Sequence, residues 1–352
     1  MTTAPSFWWQ KPGWQAFALS PLAALYGAVA GRRLMGANPP QVPAPVLCIG
    51  NFTVGGAGKT PTAIAFARTA KAMGLTPGIV SRGFGGTYFG VHRVDPSSDS
   101  AAHVGDEPLL LARHGPVMVS VDRAAAAQAL IAEGCDFLIM DDGFQSARLH
   151  ADYALIVIDA TRGIGNGYVL PAGPLRAPLG DQMAKADALL TIGAGDSAAR
   201  LTAAFPKPVY TARLAPGSAR AISGKRFLAF GGIGNPEKFF ASVREMGGMT
   251  ALTRDFPDHH PYEPDEITEL LQTATEADLG LITTAKDHAR LATSPTVPRD
   301  FLARLTVLDV ELAFDQPDAA GEIIASVLET YRGRRAPPSA LPGISPTRGE
   351  IG

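Results

Sequence analysis

Short runs of consecutive apolar residues recur along most of the chain, separated by stretches with helical periodicity. The runs 46–50 (VLCIG), 78–81 (GIVS), 116–121 (PVMVSV), 136–141 (DFLIMD) and 153–159 (YALIVID) show no polar alternation. That is the pattern of strands covered on both faces, as in a parallel sheet. Helices are predicted between them at 59–74 and 122–134, and the βαβ alternation predicts a doubly wound α/β unit. Residues 161–181 are rich in Gly and Pro and read as an ordered loop, after which strands are predicted at 187–192 and 207–213. A second α/β pattern follows: strands 226–231, 249–254, 279–284 and 305–310, and helices 235–246, 263–276 and 316–332. The expected organisation is an N-terminal helical region (1–36), a first α/β unit (37–215), a second, smaller one (216–332) and a disordered tail (333–352) rich in Pro, Gly, Ser and Arg.

The N-terminal stretch 13–31 carries no charge and is followed by Arg32 and Arg33. It is just long enough to span a bilayer, but it is mostly small residues with Gln15 and a central Pro21. As a signal peptide it has only Lys11 for a basic flank. The reading preferred here is a pair of interfacial helices, the second starting at Ser20-Pro21 as N-cap and first turn and ending at Gly36. Leu22, Leu25 and Val29 then share one face, bordered by Tyr26. All three tryptophans, Trp8, Trp9 and Trp14, lie at this end, as expected of a membrane–water boundary. The alternative is a helix packed on the protein's own core.

Composition narrows the function. The formal net charge is −2, so there is no global basic field for bulk nucleic-acid binding. The two cysteines, Cys48 and Cys135, lie in apolar runs, which excludes a disulfide framework and favours a reducing compartment.

The first strand runs into Asn51-Phe52-Thr53-Val54-Gly55-Gly56-Ala57-Gly58-Lys59-Thr60. Apart from Thr53 at its first glycine position, this is the strand–GxxxxGK[ST]–helix pattern of a phosphate-binding loop. Glycines let backbone N–H groups curl around phosphate oxygens, the helix start adds unpaired donors, Lys59 can reach the β and γ phosphates, and Thr60 can ligate Mg²⁺. The strand ending in Asp141-Asp142-Gly143-Phe144-Gln145 supplies carboxylates where a metal-holding Asp is required. Asp106 and Glu107 open a short helix; Asp106 is a candidate base, although two acids there also complement the helix dipole. The run Phe256-Pro257-Asp258-His259-His260 reads equally as a surface turn or a site.

Taken together, GNFTVGGAGKTP (50–61), SRGFGG (81–86), GDEP (105–108), DDGFQ (141–145), LPAGPLR (170–176), FPDHH (256–260) and TTAKD (283–287) resemble the tetraacyldisaccharide 4'-kinase family, the lipid A 4'-kinases. Ala177 and Ala285 stand where other members often carry Glu. The resemblance implies a P-loop NTPase-like domain, a second α/β domain and an active site in the cleft between them. It implies ATP and Mg²⁺ as cofactors, with Gly55, Gly56, Ala57, Gly58, Lys59, Thr60 and Gln145 at the nucleotide. Thr60, Asp141 and Asp142 would hold the metal, with Glu107 beside it. Asp106 would be the base, polarised by His259, and Arg82 and Arg176 would meet anionic groups. The implied acceptor is an acylated disaccharide phospholipid at the cytoplasmic face of the bacterial inner membrane; no nucleic acid or protein partner is indicated. The rival readings are a P-loop GTPase or metal-insertion chaperone, and a membrane protein with a relic nucleotide loop. The GTPase would need DxxG after its metal Asp and NKxD for guanine. Phe144 and Gln145 occupy the glycine position, and Ala285-Lys286-Asp287-His288 puts the Asp one place early.

Overall fold

The computed structural model describes residues 4–217 and 222–335. Residues 336–352, most of the expected tail, lie outside them. The strands are β1 Val46–Gly50, β2 Pro77–Ser81, β3 His92–Arg93, β4 Val117–Val119, β5 Phe137–Asp141, β6 Tyr153–Asp159, β7 Ala188–Ile192, β8 Val209–Pro216, β9 Arg226–Gly231, β10 Met249–Asp255, β11 Gly280–Thr284, β12 Leu305–Leu308 and β13 Val310–Phe314. The α-helices are α1 Trp14–Gly36, α2 Lys59–Ala72, α3 Ala101–Val104, α4 Asp106–Ala112, α5 Arg123–Ala132, α6 Leu179–Lys185, α7 Ala199–Ala204, α8 Pro236–Glu245, α9 Pro264–Glu276, α10 Ala285–Ala292, α11 Arg299–Arg304 and α12 Ala319–Arg335.

Nine strands form one sheet in the order β13-β8-β7-β6-β1-β5-β2-β4-β3, parallel except at its two edge strands. Helices cover both faces, which explains the unbroken apolar strands. Leu47 and Ile49 of β1 enter the core built with Phe66 of α2, while Val46 and Cys48 enter the opposite core with Leu130 of α5. The second sheet is parallel throughout, in the order β10-β9-β11-β12. Its faces divide in the same way: Leu228 and Phe230 pack on one side, Phe227 and Ala229 on the other.

The chain returns to the first sheet at its end. The run expected as one strand at 305–310 is split: β12 pairs with β11, and β13 pairs antiparallel with β8 through Leu312↔Leu214 and Ala313↔Arg213. Helix α12 follows, with Ile323, Ile324 and Val327 in the core that holds Phe66. The final helix, expected in the second unit, therefore packs on the first. The smaller sheet is an insertion between β8 and β13, and the two strands carrying it lie side by side, with Gly217 N–H donating to Asp309 O at 3.0 Å. Apolar periodicity marks these residues as strand and helix but is indifferent to which sheet receives them.

At the N-terminus one helix replaces the expected pair, because Pro21 lies inside α1. Proline leaves the carbonyl four residues earlier without its donor. Here that carbonyl belongs to Phe17, and the Ser20 hydroxyl donates to it at 2.8 Å. The residues read as an N-cap pair thus repair the helix rather than start it. The small residues Ala16, Ala23, Gly27 and Gly31 are buried, and Gly27 faces Val169 and Pro178 in the loop before α6. Trp14, Phe17, Leu22, Leu25, Tyr26 and Val29 are exposed. Trp8 is not at a boundary: it is buried, with its indole N–H donating to Pro171 O at 3.1 Å. No described helix is long and apolar enough to cross a membrane.

Candidate active site

Strand β1 delivers the glycine-rich loop to the carboxyl edge of the large sheet, between β5 and β6. Gly55 and Gly58 have φ of 100° and 98°, a left-handed conformation that favours glycine. Gly50 is required for another reason: a Cβ there would lie 2.4 Å from the Phe144 Cβ, so the DDGF turn could not close on the loop. Asn51 Nδ2 donates to Gly55 O at 3.2 Å and fixes the curl. Helix α2 begins at Lys59, and its Gly58 N-cap provides no side-chain hydrogen bond, leaving its first N–H groups directed at the loop's concavity.

The neighbouring strand β5 ends at Asp141, 2% exposed. Its Oδ1 is buried with no hydrogen-bond partner, and burial together with the Glu107 and Asp142 carboxylates pushes its carboxyl up to about 7. A buried carboxylate oxygen without a donor, beside the Thr60 hydroxyl and Glu107, suits a hard cation that takes oxygen ligands. Thr60 Oγ1 lies 3.5 Å from Glu107 Oε1. Asp142 is differently placed. Arg176 grips it with Nη1 and Nη2 at 2.7 and 3.2 Å, and Lys59 Nζ stands 3.7 Å away. Burial would raise this carboxyl, but Lys59 and Arg176 hold it down at about 2. Arg176 also donates to Thr53 O at 3.1 Å and to Gln145 Oε1 at 3.3 Å. Gln145 in turn donates to Asn51 O at 2.8 Å. Arg176 lines the cleft, yet its guanidinium is engaged in tying the loop to the DDGFQ turn; Arg82 is exposed on the cleft wall.

The second unit closes over this edge. His259 Nδ1 lies 3.2 Å from Asp106 Oδ2, across 153 residues of sequence. His259 has a left-handed φ of 59° and its ring packs against Phe84 at 5.7 Å. His260 turns the other way, stacked on Phe256 and bonded to Glu266 at 2.8 Å. Three contacts were not anticipated from the sequence. Arg290 pairs with Asp106 and with Asp287, and Lys286 pairs with Glu107. Lys286 and Arg290 are four apart on α10 and so share a helix face; that spacing was the available signal. Burial would raise the Asp106 carboxyl, yet the His259 hydrogen bond, Lys286 and Arg290 hold it well below the usual carboxylate range. The same hydrogen bond raises the His259 imidazole above its ordinary value. Asp287, the acid of the near-guanine motif, is fully buried and accepts from Tyr262 and Thr284 at 2.6 Å each.

Between the units lies a cleft of about 1870 Å³, lined by the glycine-rich loop, Asp141, Asp142, Glu107, His259 and Lys286. It is continuous with Trp8, Trp9, Arg32 and Arg33 at the N-terminal helix.

The fold and this cleft define a P-loop nucleotide-binding protein with a second α/β unit facing its phosphate loop. The family described as tetraacyldisaccharide-1-P 4'-kinase matches residues 15–329. The chain belongs to the tetraacyldisaccharide 4'-kinase family. It is 61% identical over 334 residues to the tetraacyldisaccharide 4'-kinases of Brucella melitensis biotype 2 and of Brucella ovis, covering 94% of this chain and 98% of each relative. Its fold is similar to that of LpxK from Aquifex aeolicus, crystallised in complex with ATP, with a TM-score of 0.67, 23% identity, and coverage of 89% of this chain and 99% of that one.

Proposed function

We propose that this cleft passes the γ-phosphate of ATP to the 4'-hydroxyl of a tetraacylated glucosamine disaccharide 1-phosphate, a step in lipid A biosynthesis. The carrying observation is the contact of the buried Asp106 with His259, which lines the same cleft as Lys59 and Thr60. Phosphoryl transfer is mostly positioning and charge stabilisation. The loop N–H groups and Lys59 orient the β and γ phosphates. Thr60 and Asp141 would hold Mg²⁺, with Glu107 beside them, and its contribution is charge neutralisation on those phosphates. Asp142, fixed by Arg176 and Lys59, keeps the lysine ammonium aimed at the loop.

Asp106 accepts the proton of the attacking hydroxyl. Its low-lying carboxyl makes it a weak base, which suits late proton transfer in a loose transition state. His259 donates from Nδ1 to this carboxylate and orients it toward the attacking hydroxyl, and the raised imidazole lets the pair share the incoming positive charge. The acylated substrate approaches along the exposed apolar face of α1, with Arg32 and Arg33 at lipid phosphates, and the enzyme works as a peripheral protein on the cytoplasmic face of the inner membrane, a reading supported by that exposed face.

The test is transfer of labelled phosphate from ATP to the disaccharide lipid in mixed micelles, with a 4'-deoxy acceptor as control. Label should move to the first lipid only. Equal labelling of both would overturn the assignment of the attacking hydroxyl, and nucleotide turnover without any lipid product would favour the GTPase class instead.

A further inference from the structure

Away from the cleft's phosphate end, β3, the turn before α3 and α3 itself bring together His92, Asp99 and His103, residues without a part in the phosphoryl transfer. One ligand atom from each lies within 4.8 Å of the others. His92 Nε2 is 2.7 Å from Asp99 Oδ2, and His103 Nδ1 is 3.4 Å from Asp99 Oδ1. The carboxylate is nearly buried, while the two imidazoles are partly open to solvent, leaving an entry path. The Asp95 N–H donates to Asp99 Oδ2 at 2.8 Å and orients the carboxylate. Tyr88 packs on both imidazoles, tilted against His92 at a ring-centroid distance of 4.4 Å and edge-on to His103 at 5.1 Å. Two imidazole nitrogens and a carboxylate, converging with the rest of the coordination left to water, are a donor set for a zinc-type divalent cation rather than for Mg²⁺.

We infer that His92, Asp99 and His103 form a second metal site, separate from the nucleotide's, that takes a borderline transition-metal cation such as Zn²⁺. Each imidazole presents the lone pair of the nitrogen now facing Asp99, and its proton moves to the other ring nitrogen or to solvent. The ion clips β3 to α3. The clipped segment matters because of what it carries. His103 O accepts the N–H groups of Thr87 and Tyr88 at 3.0 and 3.1 Å, Phe84 packs on His259, and α3 runs through Gly105 into Asp106. Ala101 N–H, at the start of the same helix, donates to Thr293 of the second unit at 3.0 Å. Occupancy therefore stiffens the segment that presents Asp106.

Co²⁺ is the probe, because its visible absorption reports imidazole ligation and a low coordination number. The full chain, without nucleotide, is titrated with Co²⁺ in excess Mg²⁺. One equivalent should develop the bands, and Zn²⁺ should bleach them. His92→Ala, Asp99→Asn and His103→Gln should each weaken Co²⁺ binding by about tenfold or more. Asp141→Asn and the double variant His259→Ala/His260→Ala should keep the bands, since those residues lie outside the cluster. His103→Gln preserves much of the side-chain volume at a half-open position, which keeps one informative variant folded if His92→Ala is not; circular dichroism checks this. Bands that survive in folded His103→Gln, bands lost in Asp141→Asn, or no bands with the unaltered chain would each overturn the site.

Discussion

Arg290 of α10 pairs with the same Asp106 oxygen that faces His259, so the second unit contributes both a cation and an imidazole to one buried carboxylate of the first. Together with the neighbouring Lys286–Glu107 pair, this joins the two units at the start of α4. The closed arrangement of the cleft is thereby linked to the state of the proposed base.

The first expected outcome concerns that base. As the proposed base, Asp106 would act as a carboxylate, so activity should fall as pH drops through its pKa, which Arg290 helps to hold low. Arg290→Ala should raise it and move the acidic limb of the kcat/KM profile to higher pH. Arg290→Lys should restore part of the shift. Losing one partner of a buried ion pair also destabilises by roughly 3–5 kcal/mol, so the profile is compared only at temperatures where the melt shows a folded protein. An unmoved acidic limb would show that another group titrates there.

Asp106→Ala and His259→Ala should each lower kcat by about 10²–10⁴-fold, with little change in KM for ATP. If the pair handles one proton, the double variant is no worse than the poorer single one. Multiplying losses would assign independent roles. His260→Ala, which removes a ring stacked on Phe256 and bonded to Glu266, should cost stability and spare turnover.

Asp141 offers an exchange of function for stability. Its Oδ1 is buried without a partner. Asp141→Asn removes an uncompensated buried carboxyl and should leave Tm unchanged or raised, while turnover at saturating ATP and Mg²⁺ is lost. Calorimetry and the kinase assay on one preparation decide it; a normally active Asp141→Asn would place the cation elsewhere. Lys59→Ala should abolish transfer with the fold intact.

On α1, Leu25→Glu and Val29→Glu add charge to the exposed apolar face without touching the buried one. Sedimentation with anionic vesicles should show weaker binding, and KM for the acylated acceptor should rise while KM for ATP holds. Equal effects on both KM values would mean that the helix supports folding rather than lipid access.

What the sequence determined by itself is local. The apolar run 46–50 followed by Gly-rich residues and Lys59-Thr60 dictates strand, phosphate loop and helix, because those propensities act over a few residues, and the structure places β1 and α2 there. The run ending at Asp141 is legible for the same reason. Tertiary packing decided the remainder. Residues 305–314 satisfy either sheet by pattern, and pairing with β8 sends β13 to the larger one. Ser20-Pro21 reads as a helix start until the rest of α1 packs its small-residue face on the protein, and the Ser20 hydroxyl then meets the freed Phe17 carbonyl. Two adjacent histidines are equivalent in sequence; the Phe256 ring and Glu266 capture His260 and leave His259 for the cleft. The contacts of Asp106 and Glu107 with Arg290 and Lys286 join residues more than a hundred positions apart. Such pairs form only when one unit's helix end docks on another's, and no local propensity encodes that.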